Sequence, residues 1–171
     1  CPVVRVASRA PQPLGRVRTR RFHRRRLLET LPDGLASLGS LVTLDLRDCS
    51  ALERLPDALG RLGSLRTLRL GGCARLAALP DSVASMRSLE QLDVAGCAAL
   101  QSLPRKLCAC SGLRELDLRG CDKLIYLPDI SRLPTLQVRG VDLRLRRWQS
   151  AGFRETMLEL GATADATDGA G

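Results

Sequence analysis

Four cysteines recur at a fixed interval in this chain of 171 residues, at positions 49, 73, 97 and 121. Each lies 24 residues after the one before and belongs to the same sequence phrase, which first reads Leu41-x-x-Leu44-x-Leu46-x-x-Cys49-x-x-Leu52. A second phrase, Leu-Pro-Asp, keeps the same phase and begins at residues 31, 55, 79 and 127, with Leu-Pro-Arg at residue 103. A period of this length indicates a solenoid, in which each repeat is one coil that packs on the next.

One repeat alone cannot fold. About seven leucines at roughly 1.5–3 kcal/mol each do not offset an ordering cost of roughly 1–2 kcal/mol for each of about 24 backbones. The alternation of Leu44 and Leu46 with polar residues predicts a short strand with one buried face. We therefore expect parallel strands near residues 43–47, 67–71, 91–95 and 115–119, paired into one sheet of a right-handed solenoid.

The residues after each Leu-Pro-Asp phrase are expected to form a short helical turn on the opposite side of the coil. Leu35 and Leu38 are three residues apart, Pro32 suits a helix start and Gly39 suits a helix end. The predicted fold class is therefore α/β: about five repeats of 24 residues, with a parallel β-sheet on the concave face and short helices on the convex face.

The two phrases together resemble the leucine-rich repeats (LRRs) of the plant intracellular type, whose unit reads LxxLxLxxCxxLxxLPxxLxxLxx. The match runs from Leu28 to about Leu145. Such repeats form the C-terminal part of many nucleotide-binding disease-resistance receptors and also occur in Ras-associated LRR proteins. The resemblance implies a non-catalytic module that binds protein, either as the ligand-sensing part of an intracellular plant immune receptor or as a signalling scaffold.

Positive charge is concentrated at the N-terminus. The formal net charge is +9, and residues 1–26 contain nine arginines and no acidic residue, so that residues 27–171 are neutral overall. We interpret residues 1–26 as a basic, disordered arm, which could instead serve nuclear import, polyanion binding or organellar targeting. A nucleic-acid partner is expected only through this arm.

The other boundaries follow from where the pattern changes. The LRR domain is expected to span residues 27–145, although residues 137–140 interrupt the strand phrase and residues 141–143 are expected to resume it as a last strand. An amphipathic stretch in residues 146–161 is predicted to form a helix that caps the open end of the core. Residues 162–171 are expected to be a disordered tail.

The repeated cysteines are expected to be buried, unpaired thiols, because their side chains all point into the core. Free thiols fit a reducing compartment, so we expect a cytoplasmic protein, with a nuclear or organellar location left open by the basic arm. Cys108-Ala-Cys110 has no second cluster to complete a metal site.

Catalysis is not expected from this sequence. His23, the sole histidine, lies in the arm and outside the repeats, so no Ser-His-Asp or Cys-His pair is expected among the repeats. We expect no catalytic residue, no cofactor, no metal and no small-molecule ligand. No apolar run approaches the length of a membrane span, so no membrane partner is expected.

The polar strand residues that face away from the core are the candidate binding site. Parallel strands place equivalent residues of successive coils side by side in columns, so we expect Arg69 to form a cross-strand ion pair with Asp45 or Asp93. The candidate residues that bind a protein or peptide on the concave face are Asp45, Arg47, Arg66, Arg69, Glu90, Asp93, Arg114, Glu115, Asp117 and Arg119. Two alternatives stay open: a fragment of a truncated gene that has no partner, and a polyanion binder that uses the arm.

Overall fold

The computed structural model describes residues 17–140, except residues 125, 126, 129 and 131. Six short strands in this part of the chain form one parallel sheet in chain order. The strands are β1 Thr19–Arg21, β2 Thr43–Asp45, β3 Thr67–Arg69, β4 Gln91–Asp93, β5 Glu115–Asp117 and β6 Gln137–Arg139. The predicted α/β solenoid with a parallel sheet is confirmed.

The strands are three residues long, shorter than predicted, but the hydrogen-bond ladder continues beyond their ends. The Leu46 N–H donates to the Arg69 carbonyl at 2.8 Å, and the Asp48 N–H donates to the Gly71 carbonyl at 2.8 Å. The same two bonds recur one coil later, from Leu70 to Asp93 at 2.7 Å and from Gly72 to Ala95 at 2.7 Å. Backbone pairing therefore extends over most of the predicted strand spans.

Short helices of the 3-10 type lie between successive strands. They span Asp33–Ser37, Asp57–Arg61, Asp81–Ser85 and Leu107–Ala109. A proline precedes each of the first three at the N-cap, as predicted from the Leu-Pro-Asp phrase. The fourth is shorter and begins after Lys106, in the coil where Leu-Pro-Arg replaces that phrase. Among the described residues, no helix has the length and apolarity needed to cross a membrane.

The core is a stack of equivalent leucines. Leu44, Leu68, Leu92 and Leu116 are aligned by the strand register, and each is at most 1% exposed. The corner leucines Leu31, Leu41 and Leu52 are also buried, as predicted. Burial of this kind contributes roughly 1.5–3 kcal/mol for each leucine relative to an exposed one.

The repeated cysteines link each coil to the coil before it. Their Sγ atoms donate to backbone carbonyls 27 residues earlier, from Cys73 to Leu46 at 3.2 Å and from Cys97 to Leu70 at 3.3 Å. Cys49, Cys73, Cys97 and Cys121 are buried and unbridged, which confirms their predicted place in the core. Burial raises the pKa of the Cys73 thiol to about 12 and that of the Cys121 thiol to about 11.

The sheet extends further toward the N-terminus than predicted. Thr19–Arg21, placed by the sequence within a disordered arm, forms β1 and pairs in parallel with β2. The Phe22 N–H continues this pairing by donating to the Asp45 carbonyl at 2.7 Å. Backbone pairing needs no leucine, so an exposed Arg20 can stand opposite Leu44 at the edge of the described sheet. Residues 1–16 lie outside the described residues.

The sheet also continues through the segment that was expected to interrupt it. Gln137–Arg139 forms β6, where Val138 takes the place opposite Leu116. This coil is shorter than the others, because Glu115 pairs with Gln137 and not with a residue 24 positions later. The predicted strand at residues 141–143, the helix at 146–161 and the tail at 162–171 lie outside the described residues.

A column of left-handed backbone positions follows the strands. Gly72, Gly96 and Gly120 have φ of 78°, 71° and 68°, and Asp48 occupies the equivalent place with φ of 60°. Side chains other than those of Asn and Asp rarely adopt this conformation, which makes glycine the suitable residue there. A Cβ atom on Gly72 would lie 2.6 Å from Asp48 Oδ1, whereas one on Gly96 would lie 3.5 Å or more from its neighbours.

We predict that Gly72→Ala costs more stability than Gly96→Ala. Both substitutions place a side chain at positive φ, at a cost of about 1–2 kcal/mol, but only Gly72→Ala also meets the Asp48 carboxylate. Asp48→Gly should remove that extra cost, so that Gly72→Ala in the Asp48→Gly background matches Gly96→Ala. Urea unfolding of the four variants measures this, and equal costs for both glycines in the parent chain would contradict it.

We predict that stability falls from about pH 8.5 upward, because unfolding releases buried thiols that hold their protons in the folded state. Each such thiol contributes a slope of about 1.4 kcal/mol per pH unit between its unfolded pKa and its raised folded pKa. Burial raises the pKa of Cys97 as well. Cys97→Ala should therefore flatten the dependence of the free energy of unfolding between pH 8 and pH 10, and should leave the slope between pH 6 and pH 8 unchanged. Parallel curves for both proteins above pH 8 would refute the assignment.

Candidate functional site

The concave face of the sheet carries three columns of polar positions. The first column contains Thr19, Thr43, Thr67, Gln91, Glu115 and Gln137, and the second contains Arg21, Asp45, Arg69, Asp93, Asp117 and Arg139. The third column lies two residues after the second and contains Arg47, Gly71, Ala95 and Arg119. The strand register confirms the predicted alignment of residues 43–45, 67–69, 91–93 and 115–117, and adds one strand at either end. Successive members of a column are about 4.8 Å apart.

Asp45 and Arg47 form a closed ion pair within one coil. The Arg47 Nη2 atom lies 2.8 Å from Asp45 Oδ2, and both Nε and the backbone N–H of Arg47 donate to Asp45 Oδ1. The Asp45 residue is only 2% exposed. The hydrogen bond from the Arg47 guanidinium holds the pKa of this carboxyl below its usual value, against the opposing effect of burial.

Asp117 and Arg119 repeat this arrangement three coils later. The Arg119 Nη2 atom lies 2.6 Å from Asp117 Oδ2, and the backbone N–H of Arg119 donates to Asp117 Oδ1 at 3.2 Å. Burial raises the pKa of Asp117, but the hydrogen bonds from Arg119 outweigh it and lower the pKa overall. We call these two pairs, Asp45–Arg47 and Asp117–Arg119, the Asp-Arg clips.

Between the two Asp-Arg clips, the charges in the second column are not paired with each other. Within the described part of the chain, no carboxylate lies within ion-pair distance of Arg69, so the predicted cross-strand pair with Asp45 or Asp93 is wrong. The reason is local: Asp93 Oδ1 accepts the backbone N–H of Ala95 at 3.0 Å, and Asp45 is held by Arg47. A carboxylate that accepts a hydrogen bond from its own turn is directed along its strand and not toward the neighbouring one.

Gly71 and Ala95 leave a gap in the third column. At both positions the guanidinium that completes an Asp-Arg clip is missing, and Arg69 stands in the second column where β2 and β5 carry aspartate. A Cβ atom on Gly71 would lie 3.1 Å from Asp93 Oδ2, so the missing side chain provides the space that this carboxylate occupies. Arg69 and Asp93 are both half-buried and open to the concave face.

The remaining candidate residues differ in whether their side chains already form ion pairs or hydrogen bonds within the chain. Arg66 pairs with Glu90 across the strands at 2.7 Å, whereas Arg114 is exposed and has no ion-pair partner among the described residues. In the first column, Thr67 donates to Gln91 at 3.2 Å, and Gln91 donates to Glu115 at 3.3 Å. Arg69 and Arg114 are therefore the two predicted anchors with charge still available to a partner.

A depression of about 200 Å³ lies over the C-terminal half of the concave face. Its lining includes five residues that sequence reasoning did not select as site residues: Thr67, Gln91 and Arg139, together with the buried Leu92 and Leu116. Arg139 was missed because its coil is shortened, so that counting 24 residues from Asp117 leads to a different residue. Within the part of the chain that the structure describes, no group of three or more His, Cys, Asp or Glu residues is arranged to hold a metal ion.

The comparisons with known proteins agree with this architecture. A family model described as "Leucine-rich repeat region" matches residues 20–144, and the chain therefore belongs to the leucine-rich repeat family. No curated protein sequence matches the chain significantly.

Two solved structures are similar to this chain. The leucine-rich repeat domain of the type III effector XopL is 32% identical over 65% of this chain, with a TM-score of 0.61. A leucine-rich repeat protein of Leptospira interrogans is 26% identical over 77% of this chain, with a TM-score of 0.50. The chain spans 38% of the length of each of these two neighbours. Leucine-rich repeat domains are typically modules for protein interaction.

We predict a graded series of stabilities for the three concave arginines that form ion pairs. Arg47→Ala should cost about 1–3 kcal/mol, because it leaves a buried carboxylate without its guanidinium. Arg119→Ala should cost less, since the Asp117 side chain is 16% exposed, and Arg66→Ala should cost about 0–1 kcal/mol because its pair is exposed. Urea unfolding at pH 7 measures the series.

The pH dependence of stability tests whether the Asp45–Arg47 pair causes the cost of Arg47→Ala. The lowered pKa of Asp45 contributes stability above about pH 4 that is lost as the pH falls through the folded-state pKa. Acidification from pH 5 to pH 2 should therefore destabilise the parent chain more than Arg47→Ala. If the difference in stability between these two proteins is the same at both pH values, the Asp45–Arg47 pair is not its source.

Proposed function

We propose that this chain is a non-catalytic module that binds a partner protein or peptide on its concave sheet. One observation carries the proposal: the buried leucines and the 3-10 helices repeat from coil to coil, whereas the second and third columns change. Arg69 and Gly71 interrupt the series of Asp-Arg clips, and Arg69 is half-buried without an ion-pair partner in the described residues. Arg69 attracts the Asp45 carboxylate without forming an ion pair with it, and a ligand of opposite charge in direct contact would recover more of the desolvation cost of Arg69.

A narrower form of the proposal is that the chain senses ligands within a plant-type intracellular immune receptor, or serves in a signalling scaffold. The repeat phrase with its cysteine and Leu-Pro-Asp supports this form, because it resembles the plant intracellular class. The chain spans well under two thirds of its structural neighbours, so that flanking domains could carry a further activity. The unbridged buried thiols support a reducing compartment, for which we propose the cytoplasm.

A specific observation favours polyanion binding as a second candidate function. Arg18, Arg20, Arg21, Arg24, Arg25 and Arg26 are all exposed on or beside β1, and no acidic residue lies among them. Because β1 pairs with β2, this charge is fixed at one edge of the sheet. Phosphate-rich partners would bind such an edge with a strong dependence on salt concentration. A fragment that has no partner stays the third alternative.

We predict that the concave face determines partner capture in the native cell. The full chain is fused to a proximity-labelling enzyme and compared with a concave variant, Arg69→Glu with Arg114→Glu, which removes both unpaired anchors. A matched convex variant, Arg61→Glu with Arg87→Glu, changes the net charge by the same amount at exposed positions. The concave variant should lose the labelled partners, and the convex variant should keep them. Both should unfold within a few degrees of the parent, since none of these four arginines forms an ion pair among the described residues and three of them are exposed. Charges of this kind contribute about 0–1 kcal/mol.

Four outcomes decide between the candidate functions. Loss of partners only in the concave variant supports the proposal. Equal labelling by both variants contradicts it, and labelling that depends instead on the arginines of residues 18–26 supports the polyanion candidate. The fragment without a partner is supported if neither surface changes what is labelled.

A further inference from the structure

The second column has an order of charges that specifies a ligand. From β3 to β6 it reads Arg69, Asp93, Asp117, Arg139, with the Glu115 carboxylate beside it in the first column. All five residues line the depression on the concave face. Cations therefore stand at both ends of this depression, and carboxylates stand between them.

The carboxylates in the middle differ in how much charge they can offer to a ligand. Asp117 is neutralised by its Asp-Arg clip, but no arginine within the described residues is in ion-pair distance of Asp93. Glu115 is exposed, and among the described residues its carboxylate accepts only a neutral amide hydrogen from Gln91. Arg69 and Arg139 likewise have no ion-pair partner among the described residues, so the uncompensated order is positive, negative, positive.

The spacing of these charges matches an extended peptide that crosses the strands. Three strand steps separate Arg69 from Arg139, which is about 14 Å at 4.8 Å per step. In an extended chain, residues i and i+4 point to the same side and are also about 14 Å apart. Residue i+2 then lies about 7 Å from either end, between β4 and β5, where Asp93 and Glu115 stand.

We propose that the concave depression binds an extended segment of a partner protein with the pattern acid-x-base-x-acid. The two acidic side chains pair with Arg69 and Arg139, whose planar guanidinium groups bind carboxylates with two parallel hydrogen bonds. The central lysine or arginine pairs with Asp93 and Glu115. This inference rests on the proposed function and adds the chemistry of the partner to it.

Gly71 and Ala95 make the site accessible. An Asp-Arg clip on β3 or β4 would neutralise the second column there, as it does on β2 and β5. Ala95 leaves the Asp93 carboxylate without a guanidinium, and the missing side chain of Gly71 leaves space for that carboxylate, which faces the ligand. The binding site therefore depends on which side chains are missing from the third column as much as on those present in the second.

Defined peptides test the pattern on the purified full chain. The probe is a fluorescent peptide with Glu-Thr-Lys-Thr-Glu in a glycine-serine frame, measured by fluorescence anisotropy at low salt. The matched control has the same composition in the order Glu-Glu-Lys-Thr-Thr, and a second control reverses the charges to Lys-Thr-Glu-Thr-Lys. We expect the ordered peptide to bind more tightly than either control.

Variants then assign the contacts to residues. Arg69→Ala should weaken the ordered peptide about fivefold, the effect of one partly exposed ion pair. The convex control Arg61→Ala should leave the affinity unchanged. The exchange variant Arg69→Glu should prefer a peptide whose first glutamate is replaced by lysine, which a merely destabilised protein would not do.

Failure of this inference is distinguishable from failure of the proposed function. Equal affinity for the ordered and scrambled peptides, no measurable binding of the ordered peptide, or no change of preference in Arg69→Glu overturns the charge pattern. Such a result leaves the proposed function standing if the concave variant still loses its partners in the cell. If the cellular partners are kept while the ordered peptide binds as expected, the concave face recognises the pattern without being the main surface for capture.

Discussion

The stacking of leucine on leucine, in a register fixed by backbone hydrogen bonds, is the interaction on which the rest of this structure depends. Leu44, Leu68, Leu92 and Leu116 lie one above another because each strand pairs in parallel with the next. The cysteine thiols add a bond from each coil to the carbonyl 27 residues earlier. No coil supplies enough buried surface to fold alone, so every coil must keep the same period. The outward positions are free of this requirement and can vary.

The same requirement explains which parts of the fold could be predicted from the sequence. The leucine phrase locates β2 to β5, the buried thiols and the 3-10 helices after each proline, because burial requires particular side chains at those places. It does not locate β1, where Arg20 stands opposite Leu44, nor β6, where the coil is shorter than 24 residues. Pairing there depends mainly on backbone groups, which every sequence has, and the side-chain signal is weak because Phe22 and Val138 are only partly buried against the core.

The candidate site could be predicted in its positions but not in its ion pairs. The period alone places Asp45, Arg69 and Asp93 side by side, and that alignment is observed. Their pairing is decided by a competition between a neighbour about 4.8 Å away and an N–H group two residues along the same strand. The local donor is fixed by the turn and costs little side-chain entropy, whereas an exposed cross-strand pair gains only about 0–1 kcal/mol. The aspartates consequently pair within their own coils, and Arg69 keeps its charge for another partner.

This division of charges has a consequence for how function can be separated from stability in this chain. Arg47 and Arg119 belong with Arg69 to the candidate binding residues of the sequence, but they neutralise carboxylates that are mostly buried, so their substitution is expected to change stability as well as binding. Arg69 and Arg114 make no such contribution among the described residues and can be changed with less effect on the fold. The third column connects the two roles, because the missing side chain of Gly71 provides space for the Asp93 carboxylate and Ala95 leaves that carboxylate without a guanidinium. An arginine in place of Ala95 would stand two residues after Asp93, as Arg47 stands after Asp45, and would build a third Asp-Arg clip, which means that this coil can hold an open site or a closed ion pair but not both.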